Sequence, residues 1–452
     1  MRAFRVSFIL SLLLCSLEAT EEFTIDEMRT YLTPENPYIY SSLGKKFVNE
    51  QKLIYAQGAY DTNLVAKYDE KDYPYTDGNY YSAGLEKATE SGVEFSGGYR
   101  YAEGTQEYNN IKTGKNGEFL LGAKVPLLSV LNRIDERRLQ LYLAQMDIKN
   151  ADYAYKESMR SLYFTIMSEY YRLLYNNALL EVAKAMYLKV EKRKEFLEKR
   201  VKEGTLPQIS LYEAKQQLIH AQQDFTNIQR AYESNFIEFL KYMDLSKESF
   251  YAQYTLPTLP EPTPLVLSEE EAMSKALTMR SDFKIFDTEI EKLMLEQKNN
   301  ELKKYPKLDI GLYGVYDVND ETGFKLSLNM SFPIEQNRYD GKNAQIQESI
   351  KIINSDKEIR LRELKADLQR IMFTLNTLEE NISNAKEERE LLQALESAER
   401  RKYSLGSSTL FLLNQREIAT VQAEKKILQY KLEYQLLYES YKRIISMHTL
   451  ES

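Results

Sequence analysis

The chain has no tryptophan, a single cysteine and two histidines among its 452 residues. One cysteine cannot make an intrachain disulfide, and so small a stock of imidazole and thiol removes most metal-ligand sets and nucleophile–base pairs. His220 lies among Gln216, Gln217 and Gln223, and His448 stands alone, so no ligand spacing or Ser-His-Asp arrangement emerges. Both read as ordinary surface histidines. No cofactor, metal or enzymatic activity is expected. Glycines between 84 and 122 lack the strand-to-helix setting of a phosphate loop. Basic charge is not in excess: 60 Lys and Arg face 68 Asp and Glu, a net charge of −8, which argues against nucleic acid as a partner. Beyond the first twenty residues no apolar run approaches the roughly 20 residues of a spanning helix. A chain without such a helix can still enter an outer membrane as a β-barrel.

Glycine and proline are also scarce, 17 and 11, and unevenly placed. None occurs from Leu127 to Glu203, nor from Gln208 to Leu256. Between these runs lies Gly204-Thr205-Leu206-Pro207, the turn of one long helical hairpin. A continuous helix over 127–203 would reach roughly 110 Å. The pattern recurs: Lys342–Leu405 is free of both residues, Gly406-Ser407 interrupts, and the rest is free again. This predicts a rod rather than a globule. After the first turn, Leu211, Ala214, Leu218, Ala221 and Phe225 are spaced alternately by three and four, a heptad seam for packing a helix along its length. A similar seam runs from Ile427 to Ile444.

What precedes each hairpin differs. Arg2 and Arg5 before the apolar run 6–14 make residues 1–19 a signal peptide, with cleavage expected near Ala19. A lipid-bearing cysteine normally follows a small residue, and Leu14 precedes Cys15. A helix is expected from about Tyr38 to Ala59. Residues 61–126 then turn to period two, with candidate strands at 63–68, 80–86, 93–101 and 118–126. Their alternation and many tyrosines suit a barrel wall, one side to lipid and one to water. Residues 246–267 form a Pro-rich linker. Ser268 and Glu271 form a capping box that opens a helix to about Lys304. Strands follow at 308–316 and 324–332.

The two halves, 20–245 and 268–452, therefore repeat one order: helix, strands, long helical hairpin. Val125-Pro126-Leu127 matches Phe332-Pro333-Ile334, and Asn132-Arg133-Ile134-Asp135 matches Asn337-Arg338-Tyr339-Asp340. Seven residues separate the turn glycine from Leu211 and, in the second copy, from Leu413. We read a tandem duplication.

This order resembles the TolC-type outer-membrane efflux factors over essentially the whole mature chain. Three stretches carry the likeness: Arg200 to Gly204 followed by Leu211 and Ala214, Arg401 to Leu410, and Arg280-Ser281-Asp282-Phe283 with Tyr305-Pro306. Ser281 stands where the family commonly has proline. The resemblance implies a mainly α fold with a β-barrel portion. As a homotrimer it forms an outer-membrane barrel continued by a periplasmic helical tunnel. Cargo passes passively in efflux or type I secretion, with a periplasmic adaptor, an inner-membrane transporter and outer-membrane lipid as partners. The family's four strands per chain leave two here in excess. These are expected to form a hairpin outside the barrel, the alternative being a larger barrel.

Functional positions are then expected at the tips, the turns being Gly204, Thr205 and Pro207, and Gly406 and Ser407. Where the family can carry entrance carboxylates, this chain has Leu412 and Gln415, so that acidic ring is missing. Glu213 and Glu417 are substitutes by proximity. Arg401 and Tyr403 stand where the family links neighbouring hairpins, and Tyr403→Phe is expected to raise conductance. Two other classes compete. A periplasmic adaptor or structural coiled coil would show one hairpin and a compact β domain. An exported enzyme would need the histidines and cysteines this chain lacks.

Overall fold

The structure, a computed structural model, describes residues 21–74, 76–104, 113, 116–132, 134–318 and 321–447. Residues 1–19, expected to be a signal peptide, with Cys15, and also Arg133 and His448 lie outside the described residues. In chain order the elements are β1 (Glu21–Glu22), α1 (Ile25–Thr30), α2 (Pro37–Gln57), β2 (Thr62–Tyr73), β3 (Thr76–Ala88), β4 (Glu94–Gly104) and β5 (Glu118–Pro126). Next come α3 (Leu127–Asn132), α4 (Glu136–Lys202), α5 (Gln208–Leu240), α6 (Lys247–Gln253), β6 (Tyr254–Thr255), α7 (Glu269–Met279) and α8 (Ser281–Glu301). The last four are β7 (Lys307–Asp317), β8 (Thr322–Ser331), α9 (Asn337–Ser404) and α10 (Leu410–Ile444). Among the described residues no helix is long and apolar enough to cross a membrane.

The chain divides into two compact units, and α4 and α9 contribute residues to both. One unit takes 41–159 and 277–366. Its sheet is a single antiparallel meander in the order β2-β3-β4-β5-β7-β8. Register gives the sheet two unlike faces. One row across all six strands reads Leu64, Leu85, Gly97, Leu121, Gly314, Phe324. The neighbouring row on the opposite face reads Asn63, Glu86, Ser96, Gly122, Tyr313, Lys325. The apolar side is open: Leu64, Leu121 and Phe324 are each more than 70% exposed. Tyrosines pack along that face in tilted pairs, Tyr68 with Tyr81 at 5.0 Å and Tyr81 with Tyr101 at 6.2 Å between ring centroids. A concavity of about 180 Å³ on the polar side is lined by Ser82, Glu86, Ser96, Arg100 and Tyr313. Ion pairs join the helices of this unit, among them Lys46–Asp152 at 2.9 Å, Lys292–Asp147 at 2.8 Å and Lys342–Glu296 at 2.8 Å, beside buried apolar side chains such as Leu139, Phe283 and Ile346.

The other unit takes 1–40, 160–276 and 367–452, and carries the larger apolar core. Phe23 is its centre, 2% exposed, with the rings of Tyr170, Phe239, Phe250 and Tyr254 all within 6.1 Å between centroids. The backbone holds Phe23 there. β1 pairs in parallel with β6, and Phe23 N–H donates to the Thr255 carbonyl at 2.9 Å. Burying so many large rings, each worth about 2–3 kcal/mol, fixes the segment around Phe23 against the first hairpin.

Several elements differ from expectation. The helix over 127–203 is not continuous, although no Gly or Pro interrupts it. Asp135 accepts from Arg138 N–H at 2.8 Å and caps α4, leaving α3 as a separate short helix. Asp340, matched to Asp135 by sequence, lies inside the first turn of α9 instead. The helix opened by Ser268 breaks at Arg280, where Asp282 accepts from the Arg280 guanidinium and from Phe283 N–H at 3.1 Å. The break thus forms with Ser281 rather than proline at that position. The helix also ends as a 3-10 turn over Leu302–Lys304. The linker carries α6 and β6. Its extended part is strapped down by Tyr434 Oη donating to the Thr263 carbonyl at 2.6 Å, and by Lys431 and Lys386 on Glu261 at 2.7 and 3.0 Å. The two excess strands are not a detached hairpin: β2 and β3 continue the sheet.

Candidate functional site

Both turns use the same device. Gly204 and Gly406 have φ of +71° and +76°, a region that glycine enters without the Cβ penalty. Gly204 N–H donates to the Val201 carbonyl at 3.0 Å and Thr205 N–H to Arg200 at 2.9 Å. In the second turn Gly406 N–H donates to Tyr403 at 3.0 Å and Ser407 N–H to Lys402 at 3.0 Å. The next hydroxyl adds a bond to the same carbonyl in each case, Thr205 to Arg200 at 2.8 Å and Ser407 to Lys402 at 3.0 Å. These bonds satisfy carbonyls that a helix end leaves open. Pro207, φ −71°, then precedes α5, and Thr409 caps α10 by accepting from Leu412 N–H at 3.3 Å.

The turns meet in a small apolar cluster. Leu197, Ala214 and Leu410 are buried together, with Leu206 and Tyr403 packed against them. Leu211 and Leu413 are buried as well. Along α5 the seam grades outward: Leu211 and Ala214 are buried, while Leu218, Ala221 and Phe225 are half-buried. Phe225 stacks on Tyr187 of α4 at 5.8 Å. Arg401, Leu412 and Gln415 are exposed, and Glu213 is half-buried.

Glu417 lies elsewhere than at an open surface. It is 0% exposed, about 12 Å along α10 from Thr409 at 1.5 Å per residue. Three cations converge on it: Arg193, Lys189 at 3.0 Å and Arg400 at 3.1 Å. Arg193 also donates to Asn414 Oδ1. Glu396 closes the network, bound by Lys189 at 2.7 Å and Arg400 at 2.6 Å. Burial pushes the Glu396 carboxyl up, but hydrogen bonds from Lys189, Thr420 and Arg400 and the charge of Lys189 outweigh it. Its pKa lies below the ordinary glutamate value. Helices α4, α9 and α10 are therefore clamped together just above the tips by paired, desolvated charge.

Sequence reasoning singled out Glu417 alone from this network. The signal for the rest was helical spacing. Lys189 and Arg193 are four apart on α4, Glu396 and Arg400 four apart on α9, and Asn414 and Glu417 three apart on α10, each pair on one helix face. Elsewhere, among the described residues, no three His, Cys, Asp or Glu side chains gather as a metal site. His220 is exposed on α5.

No family model matches the sequence, and no curated protein matches it. Solved structures do match the chain. The outer-membrane channel OprN superposes with a TM-score of 0.71 at 10% identity, covering 93% of this chain and 89% of that one. The outer membrane protein VceC of Vibrio cholerae gives 0.71 at 12%, over 93% and 95%. The Campylobacter jejuni CmeC outer membrane channel gives 0.68 at 10%, over 98% and 93%. The chain has the fold of these outer-membrane channels. Within that channel fold the likeness runs nearly end to end, so it takes in the sheet and both helical hairpins. At 10–12% identity it carries the backbone arrangement and not the residues of the tips.

Proposed function

We propose that this chain is the outer-membrane channel of an efflux system, a homotrimer whose sheets close a barrel in the outer membrane. Its helical hairpins form a tunnel closed at the tips. The observation that carries the reading is the register of the sheet. An apolar, outward-open face backed by a polar, concave one is what a barrel wall between lipid and water requires. Sharing the channel fold supports it, and one neighbour of that fold is described in an open state, the MtrE channel of Neisseria gonorrhoeae. Conduction is passive in this reading, because the sequence offers no nucleotide-binding motif and no catalytic set. Energy comes from an inner-membrane transporter, coupled by a periplasmic adaptor whose own helical hairpin packs in the grooves between helices near the tips. Type I secretion uses the same parts. The clamp around Glu417 keeps each tip in its closed packing, and opening must disturb it.

Membrane fractionation of cells expressing the full chain tests this. Recovery in the outer membrane as an oligomer that dissociates on heating is expected. A soluble monomer in the periplasm would contradict it.

A further inference from the structure

We propose that the barrel is built from six strands per chain, so that three copies close eighteen strands, with β2 of one copy paired to β8 of the next. The copy number rests on the trimeric channel reading; the strand count rests on the sheet itself.

Four features of the sheet carry it. First, the apolar face does not stop at β4. Leu64 and Leu85, on the first hairpin, occupy the same cross-strand row as Leu121 and Phe324, and are 77% and 53% exposed. A hairpin lying outside the membrane would have no need of that row. Second, β3 is joined to β4 by a ladder of eleven residue pairs, Gly78–Ala88 with Gly104–Glu94. Offering the edge of β4 to a neighbour would require breaking that ladder. Third, the two strands close up at this seam. On the polar side a Cβ on Gly98 would lie 2.6 Å from both the Ala83 carbonyl oxygen and Gly84 Cα, so the two backbones approach as only glycine permits. Fourth, the two edge strands fit each other. Six strands in a meander leave β2 and β8 running in opposite directions, twelve and ten residues long, the geometry of one more antiparallel ladder.

The occupant of these edges is a second copy of the chain. Unpaired backbone groups are not tolerated in hydrocarbon, and the apolar face places both edges there. Barrel diameter grows about linearly with strand number, so eighteen strands give a bore roughly half as wide again as twelve, within the range that leaves an aqueous channel. The outer-membrane portion would then admit bulkier cargo than a twelve-stranded wall, and the helical tips alone would set the size limit.

Paired cysteines in the full chain, on a Cys15→Ser background, test this. One set joins Asn63→Cys, Val65→Cys or Lys67→Cys on β2 to Lys325→Cys, Ser327→Cys or Asn329→Cys on β8. The other joins Ser96→Cys or Arg100→Cys on β4 to the same β8 positions. Several positions per strand protect the result against one variant failing to assemble. Native mass spectrometry supplies the copy number. A trimer with disulfide-linked chains from the β2–β8 set is expected. A trimer cross-linked through β4–β8 would overturn the six-strand wall and leave the channel reading standing. A monomer would overturn both, and any other copy number would overturn the count of eighteen.

Discussion

Replacing Glu417 by leucine takes away the carboxylate on which Arg193, Lys189 and Arg400 converge. Lys189 and Arg400 keep Glu396, at 2.7 and 2.6 Å, so they lose little. Arg193 loses most, since its side chain is only 13% exposed and, among the described residues, Asn414 is the partner left to it. Breaking a buried pair from one side costs about 3–5 kcal/mol, and with the Asn414 bond retained we expect about 2–3 kcal/mol. Arg193→Met is milder, about 1–2 kcal/mol, because Glu417 keeps two cations. The double variant removes both charges and should lie within about 1 kcal/mol of the native protein. The cycle thus predicts a coupling of about 2 kcal/mol or more. Hydrogen exchange of amides 189–197 and 410–419 in the assembled protein reads it directly. Glu417→Leu should speed exchange roughly 30- to 150-fold, and the double variant should restore most of the protection. Singles that match the native protein, or a double that loses the sum of both, would refute the clamp.

The other predictions are more local. Gly204→Ala and Gly406→Ala meet open space but a left-handed backbone, so each should cost about 1 kcal/mol, read as faster exchange at the last turn of α4 or α9. Burial raises the Asp282 carboxyl, but hydrogen bonding and charge from Arg280, with Arg360 beyond, hold it below the usual aspartate value. A depressed folded pKa stabilises above the unfolded value near 4 and is lost as pH falls through the folded one. Asp282→Asn should therefore destabilise at pH 7, and its difference from the native protein should shrink in acid unfolding below about pH 4. Tyr403→Phe keeps the ring against Leu197, Ala214 and Leu410. Raised single-channel conductance is expected if its hydroxyl links neighbouring hairpins, as the family resemblance implies, and unchanged conductance would reduce Tyr403 to packing.

Scarcity of glycine and proline made the long helices legible, and the two left-handed turns could be placed because each run ends in a lone glycine. Period-two alternation located the strands, but only where their side chains alternate. Past Tyr68 the run Asp69-Glu70-Lys71-Asp72 reads as loop, yet it continues β2, paired with 77–80. A ladder needs backbone groups and no apolar side chains once the strand leaves a buried layer. The breaks at Asp135 and Arg280 were hidden for a related reason: Asp135 opens a new helix as its N-cap and Asp282 binds Arg280 across the second break, so neither needs a residue hostile to helix. The clamp was the least visible part. Arg193 and Glu417 are 224 positions apart, and one sequence supplies only the helical spacing on each side, not which faces meet.

Planar-bilayer recording of the purified full-length oligomer tests the channel claim most directly. Discrete single-channel steps are predicted, small in the native protein and larger in Glu417→Leu as the clamp is released. A correctly assembled outer-membrane oligomer that never conducts, in either form, would contradict the account.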